Sequence, residues 1–230
     1  MVFGVGKYWQ YLVKYKQYVQ FIFFEPNIVK NMFSKKEVSK ILKLKGSIRG
    51  TVLKTDAKYV LDNYGQKALK KVEEEIRKTG AEIKYDEIKT VGWYPLGWRV
   101  ISLLVIKETF DWKDDDIFKM GEAAPKNSFI VRTILKYFVS AKKTFSEISV
   151  YWQKHYSIGM LSTRKMNEKE KYLIFSLRDF KVHPILCTYF QGYFRAISSM
   201  ILGGAETQIE ESKCPFKNKS ASHEFVITWK

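Results

Sequence analysis

The order in which hydrophobic periodicity changes along the chain constrains the fold more than any other feature. Residues 183–204, HPILCTYFQGYFRAISSMILGG, place apolar side chains at helical spacing and end in a glycine pair. Short runs of alternating apolar and polar residues stand on both sides, at 151–180 before it and at 205–212 and 224–229 after it. Such alternation is typical of antiparallel strands. The pattern predicts a small sheet that a long helix crosses.

The first half of the chain is mainly of helical pattern. After a predicted strand, or an extended entry to the core, in 46–55, GSIRGTVLKT, we expect a helix over 56–79 with Asp56 as a possible cap. Further helices are predicted at 100–110, from Asp114, and over 127–145. Helices followed by strand–strand–helix–strand–strand indicate an α+β domain, with an N-terminal helical layer packed on an antiparallel sheet of about four strands.

The composition bounds the possible partners. The 230 residues are 46% apolar and 16% aromatic, which is enough for a substantial core. The net charge of +16 raises nucleic acid or an anionic membrane as partners, and a lysine-rich solvated surface is the favoured alternative. Two cysteines do not make a disulfide framework, and no apolar stretch is long enough to span a bilayer or resembles a cleavable signal. A cytoplasmic location is therefore predicted.

The first 36 residues differ from the rest. Residues 7–24, KYWQYLVKYKQYVQFIFF, form an amphipathic pattern of aromatic residues and lysines, which the segment 25–27 interrupts. We predict a basic aromatic appendage at 1–36 and a single domain at 37–230. The appendage suits a lipid interface, and it equally suits packing on the domain or on a partner.

The sequence offers no evident catalytic constellation. Neither a phosphate-binding loop nor a dinucleotide fingerprint is present, and histidine occurs only three times. The three adjacent carboxylates at 114–116 cannot converge on one ion if they lie on a helix, and Cys187 falls in an apolar helical stripe, which indicates a buried structural thiol. The chain is predicted not to be an enzyme.

Three segments carry a family resemblance. They are GSIRGTVLKTDAKYVLDNYG, then HYSIGML with YLIFSLRDF and the crossing helix, and finally CPFKNKSASHEFVITWK. From Gly46 to Lys230 the chain resembles the superfamily of 4-vinyl-reductase-like domains, haem–nitric-oxide-binding domains and TRAPP tethering subunits. The resemblance implies an apolar pocket between helices and sheet for haem or a hydrocarbon-like molecule.

The resemblance also suggests site residues and an argument against haem. Arg178 is the candidate anion anchor and Ser176 its neighbour, because Ile174, Ser176 and Arg178 match a Tyr-x-Ser-x-Arg motif that holds haem propionates. The tyrosine is replaced, and no histidine precedes His155 to bind iron, so haem is not expected. The expected pocket walls are aromatic: Trp93, Trp98, Phe138, Tyr151, Trp152, Tyr189 and Tyr193.

The closing hairpin raises the question of zinc. Cys214 and His223 supply two of the four ligands that a zinc site normally takes. A structural hairpin is the favoured interpretation, since His183 or Cys187 would have to approach from the crossing helix to complete a site.

Two functions follow as hypotheses. The first is a non-enzymatic, small-molecule-binding or sensor-type domain for a hydrophobic or lipid-like ligand. The alternative is a protein-interaction or membrane-tethering module resembling TRAPP subunits, with residues 7–24 docking on a second copy or on an anionic membrane. Nucleic-acid binding is not expected, because only the charge and the interleaved aromatic residues near the start favour it.

Overall fold

The computed structural model describes residues 34–128, 131 and 140–230. The amphipathic segment 7–24 lies outside the described residues. In chain order the elements are α1 (Lys35–Leu42), β1 (Ser47–Arg49), α2 (Gly50–Lys78), β2 (Trp93–Pro95), α3 (Leu96–Thr109), α4 (Asp114–Asn127), α5 (Ala141–Ser146), α6 (Ile148–Gln153), β3 (Met160–Asn167), β4 (Tyr172–Arg178), α7 (Pro184–Ile201), β5 (Thr207–Lys213) and β6 (Ser222–Trp229). None of the helices in these ranges combines the length and apolar character needed to span a bilayer.

Four strands form an antiparallel sheet in the order β3–β4–β6–β5. In β4 the side chains of Leu173, Phe175 and Leu177 are buried, whereas the residues between them are partly exposed. The alternation follows from the two-residue period of a strand, and it gives the sheet one apolar face.

Helix α7 crosses this apolar face. His183 caps its start by accepting a hydrogen bond from the Ile185 amide at 3.2 Å, and Pro184 occupies the first turn, where a missing amide costs nothing. The ring of Phe194 packs edge-to-face on Phe175 and Phe225 of the sheet, with centroids 5.3 and 5.0 Å away. The predicted α+β architecture, a helical layer on a four-strand sheet crossed by a helix, is confirmed.

The helical layer meets α7 chiefly through α4. The two helices approach at glycines: a Cβ added at Gly121 would lie 2.1 Å from the Tyr189 carbonyl oxygen, and one at Gly192 would lie 2.0 Å from that of Phe118. No side chain fits at either position, so these glycines set the distance between the helical layer and the crossing helix.

The local predictions before residue 60 need correction. The strand predicted over 46–55 is wrong beyond Arg49, because a helix begins at Gly50. The amides of Gly50 and Thr51 donate to the carbonyls of Gly92 and Thr90 at 2.8 and 2.9 Å, so a distant loop caps the helix. Asp56 is therefore not a cap but lies fully buried inside α2.

The segment before β3 also differs from the prediction. Residues 151–153 belong to α6, and the strand begins only at Met160. Most of the helix predicted over 127–145 lies outside the described residues.

Candidate functional site

A cavity of about 100 Å³ lies where α7 meets α2, α4, α5, α6 and β3. Its wall is almost entirely apolar and includes Val52, Phe145, Ile148, Leu161, Phe190 and Phe194. A concave, mainly apolar space with a few polar groups is the usual form of a small-molecule site.

Four of the aromatic residues expected in the pocket wall line this cavity: Tyr151, Trp152, Tyr189 and Tyr193. Trp152 is fixed in place, because its indole N–H donates to the Ile158 carbonyl at 2.9 Å and its ring stacks on Tyr156 with centroids 4.2 Å apart. The wall around Trp152 is therefore rigidly packed.

The other three rings are placed elsewhere or not described. Trp93 is 43% exposed and lies beneath the guanidinium of Arg49, 4.2 Å from the ring centroid. Trp98 packs on Tyr94, with ring centroids 5.7 Å apart. Phe138 lies outside the described residues.

Ser176 and Arg178 lie on the face of β4 opposite to α7. The inward-pointing residues of this strand are Leu173, Phe175 and Leu177, and Arg178 is exposed. Successive side chains of a strand point to opposite faces of the sheet, so Ser176 and Arg178, two residues apart, both point away from the cavity.

The cation at the cavity wall is Arg99, which the sequence analysis did not identify. Its Nε donates to Asp56 Oδ2 at 3.0 Å, and its Nη1 donates to the Tyr156 hydroxyl. The guanidinium also lies 4.2 Å from the centroid of the Tyr189 ring, whose hydroxyl donates to Asp56 Oδ1 at 2.8 Å. Arg99 and Asp56 are 1% and 0% exposed, so this is a fully desolvated ion pair.

Burial and pairing act in opposite directions on this ion pair. Burial raises the pKa of Asp56, while Arg99 and the Tyr189 hydroxyl act to lower it. For Arg99, burial alone would lower the pKa, but the adjacent Asp56 carboxylate raises it above its ordinary value. The pair carries no net charge, and its polar atoms are occupied by one another and by two tyrosines.

Two further polar groups face the cavity. Burial raises the pKa of Tyr193 to about 12, so its hydroxyl is a proton donor at neutral pH, and it has no hydrogen-bond partner among the described residues. The ring of His155 has Nδ1 2.9 Å from the Tyr151 carbonyl. Burial lowers the pKa of His155, which keeps the ring neutral. Tyr193 is therefore the polar group best placed to meet a ligand.

A second set of donor atoms lies outside the cavity. The donor atoms of Cys187, Glu211, Cys214 and His223 all lie within 4.8 Å of one another. Of the two residues that could complete a zinc site with Cys214 and His223, Cys187 is the one that lies beside them. His183 instead caps α7. The sequence could not show this, because a helix and a hairpin separated by more than twenty residues supply the donors.

Comparison with known proteins shows the fold and leaves the family open. No family profile matches the sequence, and no curated protein matches it. The Fe(II)–NO form of an H-NOX protein from S. oneidensis superposes with a TM-score of 0.60 at 10% identity, covering 80% of this chain and 99% of its own.

Other H-NOX structures agree. A mutant H-NOX protein from K. algicida, Fe(II) and unliganded, gives a TM-score of 0.58 at 13% identity, covering 80% of this chain and 97% of its own. An oxygen-binding H-NOX domain related to soluble guanylate cyclases gives 0.60 at 13%, covering 80% and 95%. The chain therefore has the H-NOX fold, and the predicted resemblance to haem–nitric-oxide-binding domains is confirmed at the level of fold.

Proposed function

We propose that this chain is a non-enzymatic, small-molecule-binding domain of the sensor type, and that the cavity beside α7 receives its ligand. The observation that carries the proposal is a mainly apolar cavity of about 100 Å³ whose wall includes the Tyr193 side chain. The Tyr193 hydroxyl can donate a hydrogen bond to an acceptor on a ligand that enters this cavity. The fold shared with H-NOX proteins supports the same interpretation.

The cavity defines a class of ligand. A volume of about 100 Å³ is of the order of the roughly 150 Å³ engineered cavities that take up benzene or xenon. Arg99 and Asp56 already neutralise each other, so an anionic ligand would add an uncompensated buried charge. We infer a small, neutral, mainly apolar molecule with one hydrogen-bond acceptor directed at Tyr193.

Haem does not fit the residues that line this cavity. Ligand-sized pockets typically measure roughly 300–1,000 Å³, several times the present volume. Arg178 and Ser176, the candidates for binding propionates, lie on the other face of the sheet. His155 lines the cavity and offers an imidazole, but its Nδ1 already lies 2.9 Å from the Tyr151 carbonyl oxygen. Haem is therefore not part of the proposal.

A matched pair of probes tests the proposal. Acetophenone is neutral and carries a carbonyl acceptor, whereas benzoate is an anion of similar size. We expect ligand-observed NMR to detect acetophenone binding to the full chain and to detect much weaker binding of benzoate. Equal binding of the two would contradict the charge argument, and binding of neither would contradict the proposal.

Two variants on α6 locate the binding. Ile148 lines the cavity, and Ile148→Trp should fill it and abolish acetophenone binding. Val150 on the same helix is 50% exposed and does not line the cavity, so Val150→Trp is the matched control and should bind as the parent chain does.

The alternative of an interaction or tethering module stays a prediction. It rests on residues 7–24, which lie outside the described residues. Size-exclusion chromatography with and without residues 1–36 tests it: a change in oligomeric state on truncation would favour the module.

A further inference from the structure

Four buried donors converge where α7 meets the edge of the sheet. Cys187 lies in the first turns of α7, Glu211 lies on β5, Cys214 directly follows β5, and His223 lies on β6. Both cysteines are free thiols and are buried, and the side chains of Glu211 and His223 are 1% and 4% exposed. This set is separate from the cavity, since none of the four lines it.

The spacing of the two sulfurs matches a tetrahedral metal site. A Zn–S bond of about 2.3 Å at the tetrahedral angle separates two sulfurs by about 3.8 Å. The Sγ atoms of Cys187 and Cys214 are 3.8 Å apart. The same geometry requires about 3.6 Å between sulfur and nitrogen, and Cys187 Sγ lies 3.9 Å from His223 Nδ1.

The outer contacts of His223 direct Nδ1 to the centre of the cluster. Its Nε2 lies 3.1 Å from the Phe180 carbonyl oxygen, which can only accept a hydrogen bond. The Nε2 position therefore carries a proton, which leaves Nδ1 as the nitrogen that a cation in the cluster would bind. A backbone carbonyl holding the second nitrogen of a metal-binding histidine is the usual arrangement of such sites.

Without a cation, one carboxylate oxygen of the cluster lacks a hydrogen-bond partner. Glu211 Oε1 is not that oxygen, because it lies 2.7 Å from Nδ1 of His223. The other oxygen, Glu211 Oε2, is buried without a hydrogen-bond partner among the described residues, and Lys217 Nζ lies 3.9 Å away. A divalent cation would give this oxygen a partner.

We propose that Cys187, Glu211, Cys214 and His223 bind one Zn²⁺ ion as a closed structural site that ties α7 to the β5–β6 hairpin. Two thiolates with an imidazole and a carboxylate form a set that suits tetrahedral zinc. Each cysteine releases its thiol proton on binding. The carboxylate moves away from His223 by roughly 0.7 Å, from the observed 2.7 Å to the about 3.4 Å that tetrahedral N and O ligands require. With four protein ligands the site has no open position for a substrate.

The loop after β5 already holds Cys214 in position. The Cys214 amide donates to Asn218 Oδ1 at 2.9 Å, and the Asn218 amide donates back to the Cys214 carbonyl at 3.1 Å. Such preorganisation lowers the cost of binding, because the ligand does not have to be ordered by the ion.

Metal analysis of the full chain, purified under reducing conditions, tests the site without any variant. We expect one zinc per chain, and after chelation we expect uptake of one Co²⁺ with a tetrahedral d–d spectrum and a thiolate-to-metal charge-transfer band. Apo protein that takes up neither metal would overturn the proposal. A chain mass about 2 Da below that of the reduced chain, in the presence of zinc and a reductant, would also overturn the proposal. Such a mass indicates a Cys187–Cys214 disulfide.

Three conservative variants, two on β5 and one directly after it, test the ligand assignment. Glu211→Gln should weaken zinc binding by at least the roughly 10- to 100-fold that loss of a metal site's supporting partner costs. Glu210→Gln, the exposed neighbour on the other face of the strand, should bind as the parent chain does. Cys214→Ser should remove the charge-transfer intensity of one thiolate. Unchanged affinity in both Glu211→Gln and Cys214→Ser would overturn the assignment.

Discussion

Helix α7 contributes to two buried polar groups that differ in one respect. Tyr189 completes a closed network in which Arg99, Asp56 and Tyr156 satisfy one another. Two residues earlier, Cys187 joins a cluster in which a carboxylate oxygen has no partner among the described residues. Both groups are shielded from water, yet only the first has a hydrogen-bond partner for each of its carboxylate oxygens among the described residues.

The difference separates structural polarity from polarity that requires a ligand. A desolvated ion pair in which every side-chain nitrogen and oxygen has a partner positions α2, α3 and α7 relative to one another. A donor set with unmet bonds has a cost that a cation can offset.

The largest effect is expected from breaking the closed network. Arg99→Met leaves the Asp56 carboxylate buried without its cation and should lower the free energy of unfolding by about 3–5 kcal/mol in urea denaturation. Lys58→Ala, which breaks an exposed pair with Asp62, is the control and should cost less than about 1 kcal/mol.

A double variant refines this test. Arg99→Met combined with Asp56→Leu removes both charges and should recover part of the loss. If the double variant is no more stable than Arg99→Met alone, an uncompensated charge is not the source of the cost.

Zinc should stabilise the folded protein through the cluster of Cys187, Glu211, Cys214 and His223. Zinc at about 100 times its dissociation constant should raise the free energy of unfolding by about 2.7 kcal/mol. The increase should be absent in Cys214→Ser and intact in Glu210→Gln. Thermal unfolding with and without zinc measures it, and an equal increase in all three proteins would assign zinc to other residues.

The pH dependence of stability should reveal His155 on the cavity wall. Burial lowers the pKa of His155 in the folded protein, and Arg99, Arg49 and Lys154 lower it further, although the bond to the Tyr151 carbonyl opposes this. The unfolded chain therefore binds the proton more tightly, and stability falls as pH drops below about 6.5, the ordinary value for histidine.

For this histidine, the free energy of unfolding should change by at most about 1.4 kcal/mol per pH unit. The change should stop once the pH is below the pKa of the histidine in the folded protein. Urea unfolding between pH 7.5 and 4.5 measures it. His155→Gln should reduce the slope and leave a part due to His183, whose pKa burial also lowers. An unchanged slope in His155→Gln would contradict the buried neutral ring.

Two tyrosines one helical turn apart give the smallest and most selective test. Tyr193→Phe removes a hydroxyl without a described partner and should change stability by less than about 1 kcal/mol, while weakening acetophenone binding. Tyr189→Phe removes a donor to Asp56 and should cost about 1–3 kcal/mol. Equal losses of stability in the two variants would contradict the expected difference between the hydroxyl bonded to Asp56 and the hydroxyl at the cavity.

Hydrophobic periodicity predicted the fold well, because the sheet and its crossing helix depend on local patterns. The alternation in β4 and the stripe in 183–204 are visible in the sequence and appear as predicted. The start of α2 was not predictable, since backbone groups of Thr90 and Gly92 cap it from a loop some forty residues away.

The site was less predictable than the fold, because tertiary packing and not a local pattern brings its residues together. Asp56 was predicted as a possible helix cap and Arg99 was not identified, because only tertiary packing shows that the two residues are partners. The cluster behaves likewise: Cys214 and His223 are close in the sequence, but Cys187 reaches them through the path of α7 and Glu211 through strand pairing. The aromatic wall was partly identified, because aromatic residues at helical spacing on α7 necessarily face one side.

Native mass spectrometry of the full chain and of Ile148→Trp, after equilibration with acetophenone and zinc, tests the central claim most directly. In our proposal, α7 contributes to two independent sites, a cavity for a neutral ligand and a zinc centre. We expect one acetophenone and one zinc on the parent chain, and zinc alone on Ile148→Trp. Acetophenone on both proteins or on neither would contradict the cavity, and zinc on neither would contradict the metal centre.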